Sequence, residues 1–176
     1  MPSDIVTVES EIQKTFRVKQ VEGVFDVALE DKVRHSWNVD LPVEDRAWNI
    51  GLIVGASGSG KSVIARKLFG DSYHQPSEWP KDRAIVDGFG DYDIHQITEI
   101  LSLVGFSSPP DWVKPYRVLS TGQKFRADIA RAILTQDGLV VFDEFTSVVD
   151  RTVAQFASIA LSKYLRQHDK RFIAVS

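Results

Sequence analysis

Short apolar runs of four to seven residues alternate along this chain with stretches whose apolar positions recur every three or four residues, the pattern of an α/β fold. The first fifty residues differ. There, segments 16–21, 24–27 and 37–41 alternate apolar and polar with a period near two, interrupted by Gly23 and the Leu41-Pro42 step, which predicts a small antiparallel sheet. Segment 48–54 (Trp-Asn-Ile-Gly-Leu-Ile-Val) is almost continuously apolar and ends at Gly55, as expected of a strand buried on both faces.

Residues 62–69 follow as a helix with Val63, Ile64 and Leu68 turned to the sheet, and 84–87 is a short candidate strand. Ile94, Ile97, Leu101 and Val104 stand at helical spacing, so 94–104 is predicted helical, whereas Pro109, Pro110 and Pro115 make 105–115 an irregular loop. A helix is predicted from Thr121 to about Thr135, with Phe125, Ile129, Ala132 and Ile133 along one stripe. Gly138 precedes a buried strand at 139–142, a helix covers about 153–167, and 172–175 is the last strand.

With 176 residues, 43% of them hydrophobic, the chain is expected to form one domain with one sizeable core. Four parts are expected within it: an antiparallel β part at 1–47, then 48–83, 84–137 and 138–176. The net charge of −3 is uneven, with six Lys/Arg against ten Asp/Glu in residues 1–50 and near balance beyond, so neither half is a basic arm. Without cysteine there is no disulfide framework, thiolate metal site or cysteine nucleophile, which fits a reducing compartment, and a cytoplasmic location is expected. No apolar run approaches the roughly 18–20 residues that cross a bilayer, and Met1-Pro2-Ser3-Asp4 is unlike a signal peptide; at a membrane, another chain would supply the span.

Three sequence motifs change the picture. Gly55-Ala56-Ser57-Gly58-Ser59-Gly60-Lys61-Ser62 matches the G-x-x-x-x-G-K-[ST] phosphate-binding loop and lies where it must, between a predicted strand and a predicted helix. Glycine lets backbone N–H groups turn toward phosphate oxygens, and the helix beginning near Lys61 adds its positive end. Lys61 is assigned to the β- and γ-phosphates and the Ser62 hydroxyl to Mg²⁺; the nucleotide-binding set comprises Gly55, Ser57, Gly58, Ser59, Gly60, Lys61, Ser62 and Val63. At the end of strand 139–142, Asp143 and Glu144 place two carboxylates at the sheet edge where α/β folds bind ligands. Asp143 would hold Mg²⁺ through water, and Glu144, with Lys61 the catalytic pair, would polarise the attacking water.

The third motif, Leu119-Ser120-Thr121-Gly122-Gln123, resembles the LSGGQ signature of ABC ATPases, with Thr121 in place of a glycine. Ser147-Val148-Val149-Asp150 resembles that family's D-loop, and all these motifs arrive in the family's order. The resemblance implies a P-loop NTPase of ABC type: a mixed or parallel sheet core with helices, a small N-terminal antiparallel sheet and a reduced helical subdomain. It implies ATP and Mg²⁺ as cofactors and a second copy of the chain as partner, whose Ser120 and Gly122 bind the γ-phosphate across an ATP-dependent homodimer. It also implies an aromatic that stacks on adenine, for which Phe25 is best placed and Trp37 second.

Two family elements are displaced. The switch histidine expected just after strand 172–175 has no counterpart before Ser176, and none of His35, His74, His95 and His168 stands there, so a truncated chain or one without the switch is expected. The glutamine loop should follow a strand after the phosphate-loop helix, with Asp87 and Gln96 as candidates. Only 56 residues separate Ser62 from Leu119, a short interval for the subdomain that receives a membrane partner.

The expected function is therefore a soluble, non-transport ATPase whose dimerisation drives a fused or associated effector. Stretches 104–110 and 142–150 resemble prokaryotic and phage ABC-like ATPases found with acetyltransferase domains. Alternatives are a transporter's nucleotide-binding subunit and an ATP-sensing dimerisation module with little turnover. Lys114, Arg117, Lys124, Arg126 and Arg131 surround the signature as a positive rim for the partner's triphosphate or, alternatively, for nucleic acid.

Overall fold

A computed structural model of the chain describes residues 3–41, 47–75, 78–143 and 151–176. The chain packs as two compact units, Met1–Arg46 and Ala47–Ser176.

In the N-terminal unit, β1 (Ser3–Glu11) and β2 (Lys32–Asp40) pair antiparallel, with Val6 opposite Trp37 and Thr7 opposite Ser36. Alternation sorts the two faces of this ribbon. Val6, Val8, Val33, His35, Trp37 and Val39 share one, where the rings of His35 and Trp37 stack at 6.0 Å. On the other, the Thr7 and Ser36 hydroxyls lie 3.1 Å apart and Glu9 pairs with Arg34 at 3.4 Å.

Between the strands runs a helix, α1 (Phe16–Phe25), where alternation predicts strands at 16–21 and 24–27. Val18, Val21 and Phe25 also stand at i, i+3 and i+7, so the apolar spacing fits either period. Local backbone signals decide: the Thr15 hydroxyl accepts from the Val18 N–H at 3.4 Å, and Asp26 ends the helix in the left-handed region at φ 51°. A small antiparallel sheet is present, but only its 37–41 part was legible; β1 was not.

The second unit is built on a parallel sheet in the order β3 (Ile50–Ile53), β5 (Arg171–Val175), β4 (Leu139–Phe142). Ile53 pairs with Val175 and Phe142 with Ala174, so the three strands end at one edge. Val141, Ile173 and Val175 pack on one face against Ala65 of α2 (Lys61–Phe69) and Tyr73. Val140, Phe142, Phe172 and Ala174 pack on the other within the main core, with Phe125, Ile129 and Ile133 of α5 (Thr121–Thr135), Ile97 and Leu101 of α3 (Ile94–Leu103), and Leu165 of α6 (Arg151–Gln167). Two-sided cover is what a parallel sheet needs.

Three sequence expectations change here. β3 is an edge strand, and Leu52 is 61% exposed, so it is not buried on both faces. Ala65, rather than the 38% exposed Val63, is the buried contact of α2 with the sheet. The candidate strand at 84–87 is instead a single bridge, Ala84 to Pro115, leading into a 3-10 helix at Ile85–Phe89. A Cβ at Gly88 would stand 2.5 Å from the Trp79 ring, so that turn packs at a distance only glycine permits. The loop at 105–115 contains a single helical turn, α4 (Pro109–Trp112), entered through its prolines.

Candidate functional site

The 55–62 loop leaves β3 and enters α2. Gly58 and Gly60 adopt φ of 76° and 90°, the left-handed region that disfavours a side chain. Gly60 is the N-cap of α2 and provides no side-chain cap. The amides of Gly60, Lys61, Ser62 and Val63 therefore open a helix whose first four N–H groups have no partner within it. No acidic residue occupies the first turn, and Arg66 and Lys67 lie in the last, so charge along α2 favours an anion at its start. The Lys61 ammonium donates to the carbonyl oxygens of Gly55 at 2.8 Å and Ala56 at 2.9 Å, which pins it to the loop it would serve. A Cβ at Gly55 would come within 2.9 Å of the Ser59 hydroxyl, so the loop closes tightly on itself.

Asp143 follows β4 at the same sheet edge from which the loop departs. Its Oδ2 accepts a 2.6 Å hydrogen bond from the hydroxyl of Tyr73, a residue that pattern reading missed. Tyr73 is 6% exposed, and burial first, then the neighbouring carboxylate, raises its phenol above the usual tyrosine range. The Ser62 hydroxyl and the Asp143 carboxylate are hard oxygen donors, and no cluster of three or more His, Cys, Asp or Glu occurs among the described residues. One carboxylate and one hydroxyl suit Mg²⁺ better than a cation needing an all-protein cage, because Mg²⁺ retains water and takes phosphate oxygens. Glu144 and the D-loop stretch 147–150 lie outside the described residues.

At the start of α5, the Ser120 hydroxyl accepts from the Gln123 N–H at 3.3 Å, while Gln123 Oε1 accepts from the Ser120 N–H at 3.0 Å. This capping box engages the serine locally. The Gln123 side-chain amide also donates to Asp111 Oδ2 at 2.9 Å, and Asp111 pairs with Lys114 at 2.6 Å, which holds its carboxyl below the usual range. The hydrogen bonds of Ser120 and Gly122 thus run within α5, and Gln123 ties its start to α4.

Of the basic cluster only Arg131 is buried, while the Lys114 and Arg117 side chains stay exposed. Arg131 is 6% exposed, with its guanidinium 3.9 Å from the centre of the Trp79 ring. Arg126 donates to the carbonyls of Gly122 and Gly105, Arg117 faces Asp82 at 3.3 Å, and Lys124 lies over the Tyr116 ring. Asp128 accepts from Trp79 Nε1 and the Tyr116 hydroxyl, both at 2.7 Å, so the neighbourhood of Arg131 is a packed ionic and aromatic core.

Phe25 stands at the end of α1 in the N-terminal unit and is 71% exposed; it is not in a sheet. Trp37 is in β2. His74 stacks on Phe142 at 5.1 Å, and burial pushes its imidazole below the usual histidine range. The strand-like segment after α2 is Tyr73, bridged to Val141, with the His74 N–H donating to the Val141 carbonyl at 2.7 Å. Gln75 follows directly. Asp87 lies in a 3-10 turn and Gln96 caps α3 by accepting from the Asp93 N–H, so Gln75 meets the glutamine-loop criterion better than either. A one-residue bridge has no periodicity to reveal it, but the order phosphate-loop helix, then Tyr-His-Gln, was readable.

No protein-family model matches the chain. It is 26% identical over 199 residues to the lactococcin-G-processing and transport ATP-binding protein LagD of Lactococcus lactis subsp. lactis, covering 84% of this chain and 28% of that protein. It is 28% identical over 167 residues to the methionine import ATP-binding protein MetN of Cutibacterium acnes, covering 68% of this chain and 44% of that protein. A bacterial Atm1-family ABC exporter solved with ATP bound superposes with a TM-score of 0.58 at 21% identity, over 73% of this chain and 29% of that one. The chain shares its fold with part of an ABC exporter. It spans less than half the length of each of these three proteins. These likenesses support the ABC type that the order of motifs implies and say nothing of an acetyltransferase neighbour. Among the described residues, no helix is long and apolar enough to cross a membrane.

Proposed function

We propose that the chain binds MgATP and hydrolyses it at a composite site formed when two copies close face to face, the closure driving an attached domain or partner. One observation carries this reading: a glycine-built loop, with positive φ at Gly58 and Gly60, delivers Lys61 and an uncapped helix start to the sheet edge that also carries Asp143. The names of the relatives, all ATP-binding or ATP-bound, agree with it.

In this reading the amides of the 55–63 stretch cradle the phosphates, and Lys61 leaves its carbonyl partners to pair with the β- and γ-oxygens. Ser62 and Asp143 would hold Mg²⁺, which supplies positive charge to the phosphate oxygens. Glu144 orients and deprotonates the attacking water, while Ser120 and Gly122 of the second copy seal the γ-phosphate side. Gln75 is proposed as the glutamine-loop residue.

The relatives' printed roles in transport favour a second reading, in which this chain is the ATP-binding part of a transporter. The short 62–119 interval favours a soluble role instead. Co-purification of a membrane protein from detergent extracts decides between them. Hydrolysis itself is tested by Glu144→Gln, which keeps nucleotide binding while losing water activation. Size-exclusion chromatography with MgATP should show a dimer that persists for this variant; a strictly monomeric profile contradicts the composite site.

A further inference from the structure

Tyr73 joins the two elements that carry the proposed metal donors. Its ring lies under the Arg66 guanidinium, 5.0 Å from ring centre to Cζ, and Arg66 is one turn along α2 from Ser62. Its hydroxyl donates to Asp143 Oδ2 at 2.6 Å. The backbone is fixed as well: the Tyr73 N–H donates to Gly70 O at 3.0 Å, the His74 N–H to Val141 O at 2.7 Å, and Tyr73 bridges β4 in parallel register. A side chain 6% exposed and held at backbone, ring and hydroxyl has one rotamer available, so its O–H direction is a fixed input to the Asp143 carboxylate.

An ionised carboxylate that accepts a short hydroxyl hydrogen bond is constrained in rotation about its Cβ–Cγ bond, and that rotation decides which way its oxygens face. From this juxtaposition we infer that Tyr73 is a positioning residue for the metal site: it orients Asp143 toward Mg²⁺ and ties that orientation, through Arg66, to the phosphate-loop helix. The inference rests on the nucleotide reading above. Partners of this kind, one bond removed from a metal ligand, typically set metal affinity by ten- to a hundredfold.

The test is Tyr73→Phe, which keeps the ring and removes only the hydroxyl. ATP binding is measured by calorimetry with excess EDTA and across a Mg²⁺ titration, and Mn²⁺ binding in the presence of ATP is followed by electron paramagnetic resonance. The variant should bind ATP without metal as the parent does, but need about tenfold more Mg²⁺ or Mn²⁺ to reach the metal-dependent state. In an Asp143→Asn background the same substitution should add no further loss. Equal metal dependence in Tyr73→Phe and the parent overturns the inference while leaving ATP binding intact. A loss of affinity of equal size with and without metal also overturns it, because that marks a general structural role. Failure of the parent chain to bind ATP overturns the nucleotide reading and this inference with it.

Discussion

Two helices of the second unit begin at glycine-bearing motifs, and they begin differently. α2 starts at Gly60 with no side-chain cap, so its first amides are left to whatever the 55–62 loop encloses. α5 starts at Ser120 with a complete capping box, braced by Asp111, and the amides the box does not engage are those of Thr121 and Gly122. An open helix start can grip an anion unaided. A start that is already capped is rigid, and has only its outermost donors to present to an anion brought by another surface. The proposed composite site uses both properties, one to hold the triphosphate and one to close over it.

This contrast is broken most severely by Lys61→Ala. Removing the cation from the open start should weaken ATP binding about a hundredfold, the loss expected of charge-assisted hydrogen bonds, and calorimetry checks it. Affinity retained at the parent value by the variant would show that the loop is not the phosphate site. Ser120→Ala sharpens the other side. Loss of the cap should cost ~1 kcal/mol of stability in thermal unfolding, and turnover should fall while ATP affinity of the dilute chain stays at the parent value. A fall in affinity equal to that of Lys61→Ala would place Ser120 in the same copy's pocket and defeat the division of labour.

The same contrast describes how far the sequence could be read. α5 was legible from end to end, Thr121 to Thr135, because helical spacing, an N-terminal cap and a buried stripe through Phe125, Ile129 and Ile133 all agree. Strand β4 was equally plain, since four apolar residues behind Gly138 fill both faces of the sheet. α1 was missed because its apolar residues fit two periods and no buried face arbitrates; only Thr15 and Asp26 carried the answer. The exposure of Leu52 depends on what packs over its face of β3, a tertiary fact that no run of apolar letters contains. The turn of the 55–62 loop was legible because glycine stands at both of its positive-φ positions, Gly58 and Gly60. Tyr73 was not, because its value comes from a contact with Asp143 seventy residues away.

In the proposed composite site the 55–62 loop holds the triphosphate of one copy and the Ser120–Gly122 turn reaches it only from a second. Backbone amide shifts of ¹⁵N-labelled Glu144→Gln chain, followed as MgATP is added at low and then high protein concentration, test this most directly. Gly58, Gly60 and Lys61 should shift at both concentrations, and Thr121 and Gly122 should join them only at the higher one. Movement of Thr121 and Gly122 with the loop amides unchanged, or stillness of both sets at saturating ATP, would contradict the composite site.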